Sequence, residues 1–379
     1  MRYYLIAGEA SGDLHGSNLM KGLKNSDPDA EFRFWGGDLM ANVGGTLVKH
    51  YKETNIMGFT AVLTHLGKIS KNFTLCHNDI LEYKPDVVIL IDYPGFNFRI
   101  ARFAHKHNIK VFYYIAPKVW AWKEHRVHRL QKYVDKLYII FPFEKEYFAK
   151  WNIDAIYEGN PLKDSITEAL DNSDSREIFC EKHGLNPKED IVAFLPGSRR
   201  SEIKFLLPRY IEAAKLLPEE TQKVMAAAPG IDLSYYNQYF EKAGVKPFNV
   251  IINETYPILK YAKVAAIASG TASLEAIIIG TPHVVCYGAN PISIAIARRF
   301  VKIKYFSLGN ILANRRIVDE LLQKDCNPRN IYTELNSLMI SKENRDKVLN
   351  DYTEIRDSLG KPGSSERIAQ SMINEIKIN

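Results

Sequence analysis

The sequence has 379 residues, 46% hydrophobic and 25% charged, with a formal net charge of +6 and an isoelectric point of about 8.8. That length exceeds what one ordinary core holds and suits two domains of common size. The positive balance favours an anionic partner, such as a phosphorylated ligand or a membrane surface, and is too small to argue for nucleic acid.

"RYYLIAG" (2–8) is an apolar β run, read as a first strand and not as a signal peptide. An amphipathic stretch around 14–23 follows, then a strand at "EFRFWGG" (31–37) and a helical pattern over 58–83. "PDVVILID" (85–92), a helix near 97–107, "IKVFYYIAP" (109–117) and "DKLYIIFPF" (135–143) continue the alternation. A polar stretch, 171–190, precedes a second series: "DIVAFLPGSRR" (190–200), "QKVMAAAPG" (222–230), "NVIINE" (249–254), "KVAAIASGTASLEA" (263–276) and "PHVVCY" (282–287). Short apolar runs between helical segments imply βαβ units and parallel sheets. The expected fold is α/β, with two Rossmann-like domains facing a central cleft. Residues 1–168 form the first domain and 169–345 the second; 346–379 form a charged helical tail, expected to pack on the first domain or on a second subunit. The cysteines Cys76, Cys180, Cys286 and Cys326 are far apart and form no CxxC. Neither a zinc site nor a disulfide framework is expected, and a reducing cytosol fits. No run approaches the roughly 18 apolar residues that a membrane span needs.

Ligands on parallel sheets bind beyond the carboxyl ends of the strands. Asp92 ends an otherwise apolar strand, where a carboxylate is costly unless it faces a site. "LPGSRRSEI" (195–203) offers a tight turn at Gly197, a hydroxyl at Ser198 and a guanidinium fork at Arg199 for phosphate oxygens. It is not a P-loop, and the same residues suit a capped helix start with solvated arginines. "ASGTASLEA" (268–276) sets Ser269, Gly270 and Thr271 at a second helix start, with Glu275 placed to reach a ribose diol. Two such loops suit a nucleotide diphosphate; capping is again the alternative. "GEASGDLHG" (8–16) lacks the nicotinamide GxGxxG pattern. Its Glu9, Ser11 and Asp13 suit the hydroxyls of a neutral ring, or else a helix start capped by Ser11 with Asp13 at the positive end of the dipole. Over 56–73, Phe59, Val62, Leu63, Leu66, Ile69 and Phe73 recur at helical spacing beside basic residues, and "ISIAIARRFVKIKYF" (292–306) is similar. Such stripes lie in lipid interfaces or, more commonly, face a core.

"AGEASGD" (7–13), "PDVVILIDYPGFN" (85–97), "YIAPKVWAWKEHRV" (114–127), "LPGSRRSEI", "ASGTASLE" and "KIKYFSLGNILANR" (302–315) occur in this order. The set resembles the lipid-A-disaccharide synthase family, inverting glycosyltransferases of the GT-B fold, from residue 1 to about 325. The resemblance implies transfer of diacylglucosamine from UDP-diacylglucosamine to diacylglucosamine 1-phosphate, giving the β-1,6 disaccharide and UDP, with no cofactor and no bound metal. It places UDP on the second domain, at Gly197, Ser198, Arg199, Ser269, Gly270, Thr271, Glu275, Asn310 and Arg315 or Arg316. The acceptor falls to the first domain, at Ser11, Asn97, Lys118 and Trp120. Asp92 is the implied base for the attacking hydroxyl; Glu9 and Asp13 come second, with His15 and His125 behind them.

Two stretches depart from the family pattern. "IDAPDFN" reads "IDYPGFN", so Gly95 stands where a second acid would be, and "SPSVWAW" reads "APKVWAW", which introduces Lys118. Acylated substrates imply an anionic inner-membrane surface met from the cytoplasmic side, with Phe59, Val62, Leu66 and Ile69 as first contacts, and a homodimer stays open. The rival readings are another GT-B UDP-sugar enzyme, such as a UDP-N-acetylglucosamine 2-epimerase, and a non-catalytic nucleotide-sugar or lipid-binding protein.

Overall fold

The structure is a computed structural model that describes residues 1–54, 66–288 and 304–377. It has two compact units, Met1–Ser165 with Leu359–Asn379, and Ile166–Ser358.

The first unit carries a seven-stranded sheet in the order β3-β2-β1-β4-β5-β6-β7. Its strands are β1 (Arg2–Ala7), β2 (Glu31–Gly36), β3 (Thr46–His50), β4 (Val87–Ile91), β5 (Lys110–Tyr114), β6 (Lys136–Ile139) and β7 (Ala155–Tyr157), all parallel. Every residue of β4, "VVILI", is buried, as a strand covered on both faces requires. Burial of each such side chain contributes about 1.5–3 kcal/mol relative to exposure. The strand stops at Ile91, one residue before the acid, because Asp92 and Tyr93 both turn left-handed, with φ of 44° and 46°. Pro94 then opens the helix Pro94–Lys106 at a position where its missing N–H costs nothing.

The chain lays β1 to β3 toward one edge, returns to place β4 beside β1, and continues toward the other edge. Ala7 pairs with Ile91, and Ile91 with Tyr114. The loops after β1, β4 and β5 therefore leave the sheet side by side. The second unit repeats the device with β8 (Ile191–Leu195), β9 (Gln222–Ala227), β10 (Asn249–Ile252), β11 (Val264–Ala268), β12 (His283–Tyr287) and β13 (Glu320–Leu322), in the order β10-β9-β8-β11-β12-β13. Leu195 pairs with Ile267, so the loops after β8 and β11 are neighbours. Each pair of loops sits where the strand order reverses, the place at which open α/β sheets bind ligands.

The helical tail is shared between the units. Lys342–Ser358 is a helix of the second. Ser364–Lys377 lies in the first, against the helix Ala10–Ser26. The two approach at Gly22, where a Cβ would stand 3.0 Å from Ala369 Cβ. Asp164 caps the last helix, accepting from Gly363 N at 2.6 Å, Ser365 N at 2.8 Å and Ser364 Oγ at 2.9 Å.

Phe59 and Val62 lie outside the described residues, as does most of 292–306. Leu66 opens the helix Leu66–Tyr83, and Ile69 is half-buried on it. Phe73, on the same helix, stacks on Phe96 with ring centroids 4.5 Å apart, so this end of the stripe faces the core. Among the described residues no helix is long and apolar enough to cross a membrane, and no cluster of three or more His, Cys, Asp or Glu could hold a metal ion. All four cysteines are free and buried.

Candidate active site

In the first unit the site is built on the loops after β1 and β4. Gly8 lies against Tyr93, whose ring atoms would stand 2.3 Å from a Cβ there. Left-handed backbone at a non-glycine residue costs on the order of 1–3 kcal/mol and persists only where its surroundings over-determine it. Here they do. Asp92 N donates to Tyr114 O at 3.1 Å, while the Asp92 carbonyl accepts from Tyr113 Oη at 2.6 Å and Asn97 Nδ2 at 2.8 Å. The main chain is fixed and the carboxylate is left half-buried beyond it. Burial pushes the Asp92 carboxyl up to about 6; the Lys118 ammonium opposes that rise and the Glu9 carboxylate adds to it.

The other acids of this region differ. Asp13 is buried, and its oxygens accept from Gly37 N at 2.7 Å, Met40 N at 3.1 Å and Leu39 N at 3.1 Å. It caps the helix Asp38–Val43, which removes it from proton transfer. Glu9, not Ser11, occupies the N-cap of Ala10–Ser26, with its side chain uncommitted to capping; Ser11 is exposed in the first turn. His15 is buried, and burial pushes it down to about 4, which keeps it neutral. His125 is exposed.

Asn97, expected at the acceptor, is fully buried. Its amide also reaches Ile91 O at 3.3 Å and Ile6 O at 3.4 Å, so it ties β1 to β4 beneath Asp92. Trp120 donates from Nε1 to Glu144 at 2.9 Å. Glu144 is buried, accepts from Phe141 N at 3.1 Å and Ile140 N at 3.3 Å, and is pushed by burial up to about 7. Lys118 is exposed and exerts its charge on both Asp92 and Glu144. Sequence reasoning missed Glu144, because an acid within "FPFEKEYF" has the pattern of an ordinary surface charge.

In the second unit, Gly197 has φ of 100°, and a Cβ there would stand 2.3 Å from Glu202 Oε2. Glu202 accepts from Ser198 N at 3.1 Å and Arg199 N at 3.3 Å, and pairs with Arg199 Nη1 at 3.3 Å. This loop is a capped helix start whose donors face a carboxylate of the protein. The loop after β11 is open. Gly270 and Thr271 are exposed, a Cβ on Gly270 would meet nothing, and the helix Thr271–Ile279 begins without a side-chain cap. Its first N–H groups and dipole make a seat for an anion. Glu275, further along, is pushed by burial up to about 7, with Tyr256 Oη at 3.5 Å pulling the other way.

Asn310 and Arg315 depart from expectation. Asn310 is fully buried, and both ends of its amide are bonded within the protein: Nδ2 donates to Val318 O at 2.9 Å and Glu320 at 2.8 Å, while Oδ1 accepts from Ile317 N at 2.7 Å and Val318 N at 3.0 Å. Glu320 also accepts from Phe306 N at 3.0 Å and Ser307 N at 2.8 Å, and Ser269 Oγ donates to Phe306 O at 3.2 Å. Asn310 thus acts on the open loop from behind, through Glu320. Arg315 pairs with Asp351 at 2.8 Å and with Glu354, and Arg316 with Asp319.

A family model described as lipid-A-disaccharide synthetase matches residues 3–375. A lipid-A-disaccharide synthase of Myxococcus xanthus is 36% identical over 98% of this chain and 97% of its own length. Another, of Acidobacterium capsulatum, is 35% identical over 96% and 92%. Among solved structures, a UDP-GlcNAc 2-epimerase of Neisseria meningitidis bound to UDP-GlcNAc is similar with a TM-score of 0.69 at 13% identity, covering 99% of this chain and 100% of that one. The calicheamicin glycosyltransferase CalG4 has a TM-score of 0.61 at 15% identity, covering 100% and 99%. These two show the fold, which is GT-B. On the family model and the curated relatives, the chain belongs to the lipid-A-disaccharide synthase family of glycosyltransferases.

Proposed function

We propose that the protein transfers 2,3-diacylglucosamine from UDP to the 6-hydroxyl of 2,3-diacylglucosamine 1-phosphate with inversion, releasing UDP, at the cytoplasmic face of the inner membrane. The observation that carries the reading is Asp92: a half-buried carboxylate raised to about 6, at a switch point where bonds to its main chain hold the turn. Inversion needs one base to take the hydroxyl proton as the sugar passes through an oxocarbenium-like transition state. A base with a pKa just below neutral is both free and strong enough to accept it. The departing diphosphate needs positive potential. The open start of Thr271–Ile279 supplies the dipole, and the exposed Arg199 supplies charge once it exchanges Glu202 for phosphate. Contact with an anionic membrane through 56–73 belongs to the same reading, since each acyl CH₂ buried contributes about 0.8 kcal/mol; flotation with anionic vesicles tests that part.

The test of the reaction is incubation with UDP-diacylglucosamine and diacylglucosamine 1-phosphate. A product with the mass of the disaccharide 1-phosphate and a β linkage by NMR is expected; UDP release without an acceptor, or epimerised donor alone, overturns it. The base has its own signature. A carboxylate must be deprotonated to accept a proton, so kcat/KM falls as pH drops through about 6. Lys118→Met removes the charge that holds Asp92 down and moves this acid limb to higher pH; Glu9→Gln removes the charge that holds it up and moves the limb lower. If the limb stays fixed in both variants, another group is the base.

A further inference from the structure

The stretch "WKEHRVHR" (122–129) is rich in basic residues. It forms a turn, Glu124–Arg126, and a short helix, Val127–Tyr133. Arg126 and Arg129, three residues apart, both lie against Phe98, their guanidinium carbons 5.9 and 5.8 Å from the ring centroid. Lys123, at the N-cap of the turn, is close enough for the charge of Arg126 to act on it. Lys123 Nζ lies 4.3 Å from the ring of Trp122, which is 53% exposed. None of the three cationic side chains has an ion pair or a hydrogen bond among the described residues. Arg33, Arg199, Arg315 and Arg316 each have a carboxylate.

That arrangement is unfavourable by itself. Arg126 is half-buried, and burial together with the like charge of Arg129 lowers its pKa. Lys123 is lowered by burial and by Arg126. A half-buried, unpaired guanidinium beside two like charges that are exposed is costly, and the cost is reduced when an anion joins them. The cluster also adjoins the reacting end of the sheet. Arg126 exerts its charge on Tyr113, whose hydroxyl bonds the Asp92 carbonyl at 2.6 Å, and Phe98 follows Asn97 in the helix after Asp92. A guanidinium pair offers parallel N–H donors to the oxygens of one phosphate, which a single ammonium does not.

We propose that Arg126, with Arg129 and Lys123, forms a phosphate-monoester site in the first unit, occupied by the 1-phosphate of the acceptor, with Arg126 as its specificity-determining residue. This rests on the acceptor named under the proposed function. Phosphate on a free sugar and phosphate on a lipid surface share the same chemistry, and the test separates them.

The experiment compares the acceptor with and without its 1-phosphate, in the wild type and in Arg126→Gln, Arg126→Lys and Arg129→Gln, with thermal midpoints confirming that each variant folds. In the wild type, loss of the phosphate raises KM about tenfold or more, as expected for a charge-assisted bond. In Arg126→Gln the ratio of the two KM values collapses toward one, and Arg126→Lys restores part of it. Titration of glucosamine 1-phosphate into the protein gives binding that Arg126→Gln abolishes. An equal effect of Arg126→Gln on both acceptors, or unchanged glucosamine 1-phosphate binding, overturns the proposal. So does loss of binding to phosphatidylglycerol vesicles with acceptor discrimination intact. A wild type that makes disaccharide from neither acceptor overturns the proposed function instead, while the glucosamine 1-phosphate titration still decides the site.

Discussion

Asp92→Asn lowers turnover by about 10²–10⁴, the usual contribution of a positioned base, while UDP affinity is retained. The substitution is nearly isosteric. The groups that shape the loop, Tyr113 Oη and Asn97 Nδ2, bond the main-chain carbonyl and not the carboxylate. The left-handed turn at residues 92 and 93 therefore survives, and what is lost is the proton acceptor. Gly95 sharpens this outcome: with no second acid in "IDYPGFN", and with both oxygens of Asp13 bonded to N–H groups of the helix it caps, Glu9, whose charge acts on Asp92, is the alternative base among the described residues. Turnover near that of the wild type removes Asp92 from the mechanism. Parallel loss of turnover and UDP binding points to a disturbed fold.

The same variant gains stability at neutral pH. The carboxyl is raised in the folded protein from 3.8 to about 6, so the folded state holds its proton more tightly than the unfolded chain does. A group of that kind makes stability fall as pH rises between its two pKa values. The penalty is fully present above about 6 and absent below about 4. At about 1.4 kcal/mol per unit it amounts to at most about 3 kcal/mol, and solvent at this half-buried carboxylate reduces it. The asparagine variant escapes it. Urea midpoints of the two proteins should diverge at pH 7 and converge near pH 4. Equal midpoints at both values show that the raised pKa is not a property of the folded ground state.

Much of this was legible in the sequence, for a physical reason. Strands buried on both faces must be continuously apolar, so "VVILI" and "VAAIA" announce themselves, as does an acid at the end of one. Their alternation with helical segments also announces parallel sheets, though not the order of the strands in them. Bonding partners were not legible. The resemblance put Asn97 at the acceptor and Asn310 at UDP, and Asp13 read either as a hydroxyl binder or as a helix-start acid; each is buried and bonded to main-chain groups of other segments. Asp13 caps a helix whose first residue is 38. Asn310 closes on residues 317, 318 and 320. Pattern reports which residues are polar and where strands end; it does not report which main-chain group folds back to meet them. Glu202 is the intermediate case, since the carboxylate three residues into a helix is a capping signature, and it is what the donors of "LPGSRR" face.

Asn310 turns that difference into a measurement. Asn310→Ala deletes two donated and two accepted hydrogen bonds at a fully buried position, and leaves the N–H groups of Ile317 and Val318 without acceptors. Each orphaned group costs about 1–3 kcal/mol, so the loss of stability is on the order of 3–5 kcal/mol. Glu320 loses one of the donors that orient it, and with it the hold on Phe306 N and Ser307 N that supports Ser269. UDP affinity then weakens as a consequence, and restoring the fold with a stabilising osmolyte recovers part of it. Arg199→Met behaves in the opposite sense: the guanidinium is exposed, so UDP affinity falls while the urea midpoint hardly moves. A substrate-contacting Asn310 would follow the pattern of Arg199. A midpoint that drops first, with affinity following it, makes Asn310 a positioning residue that holds the open loop in place.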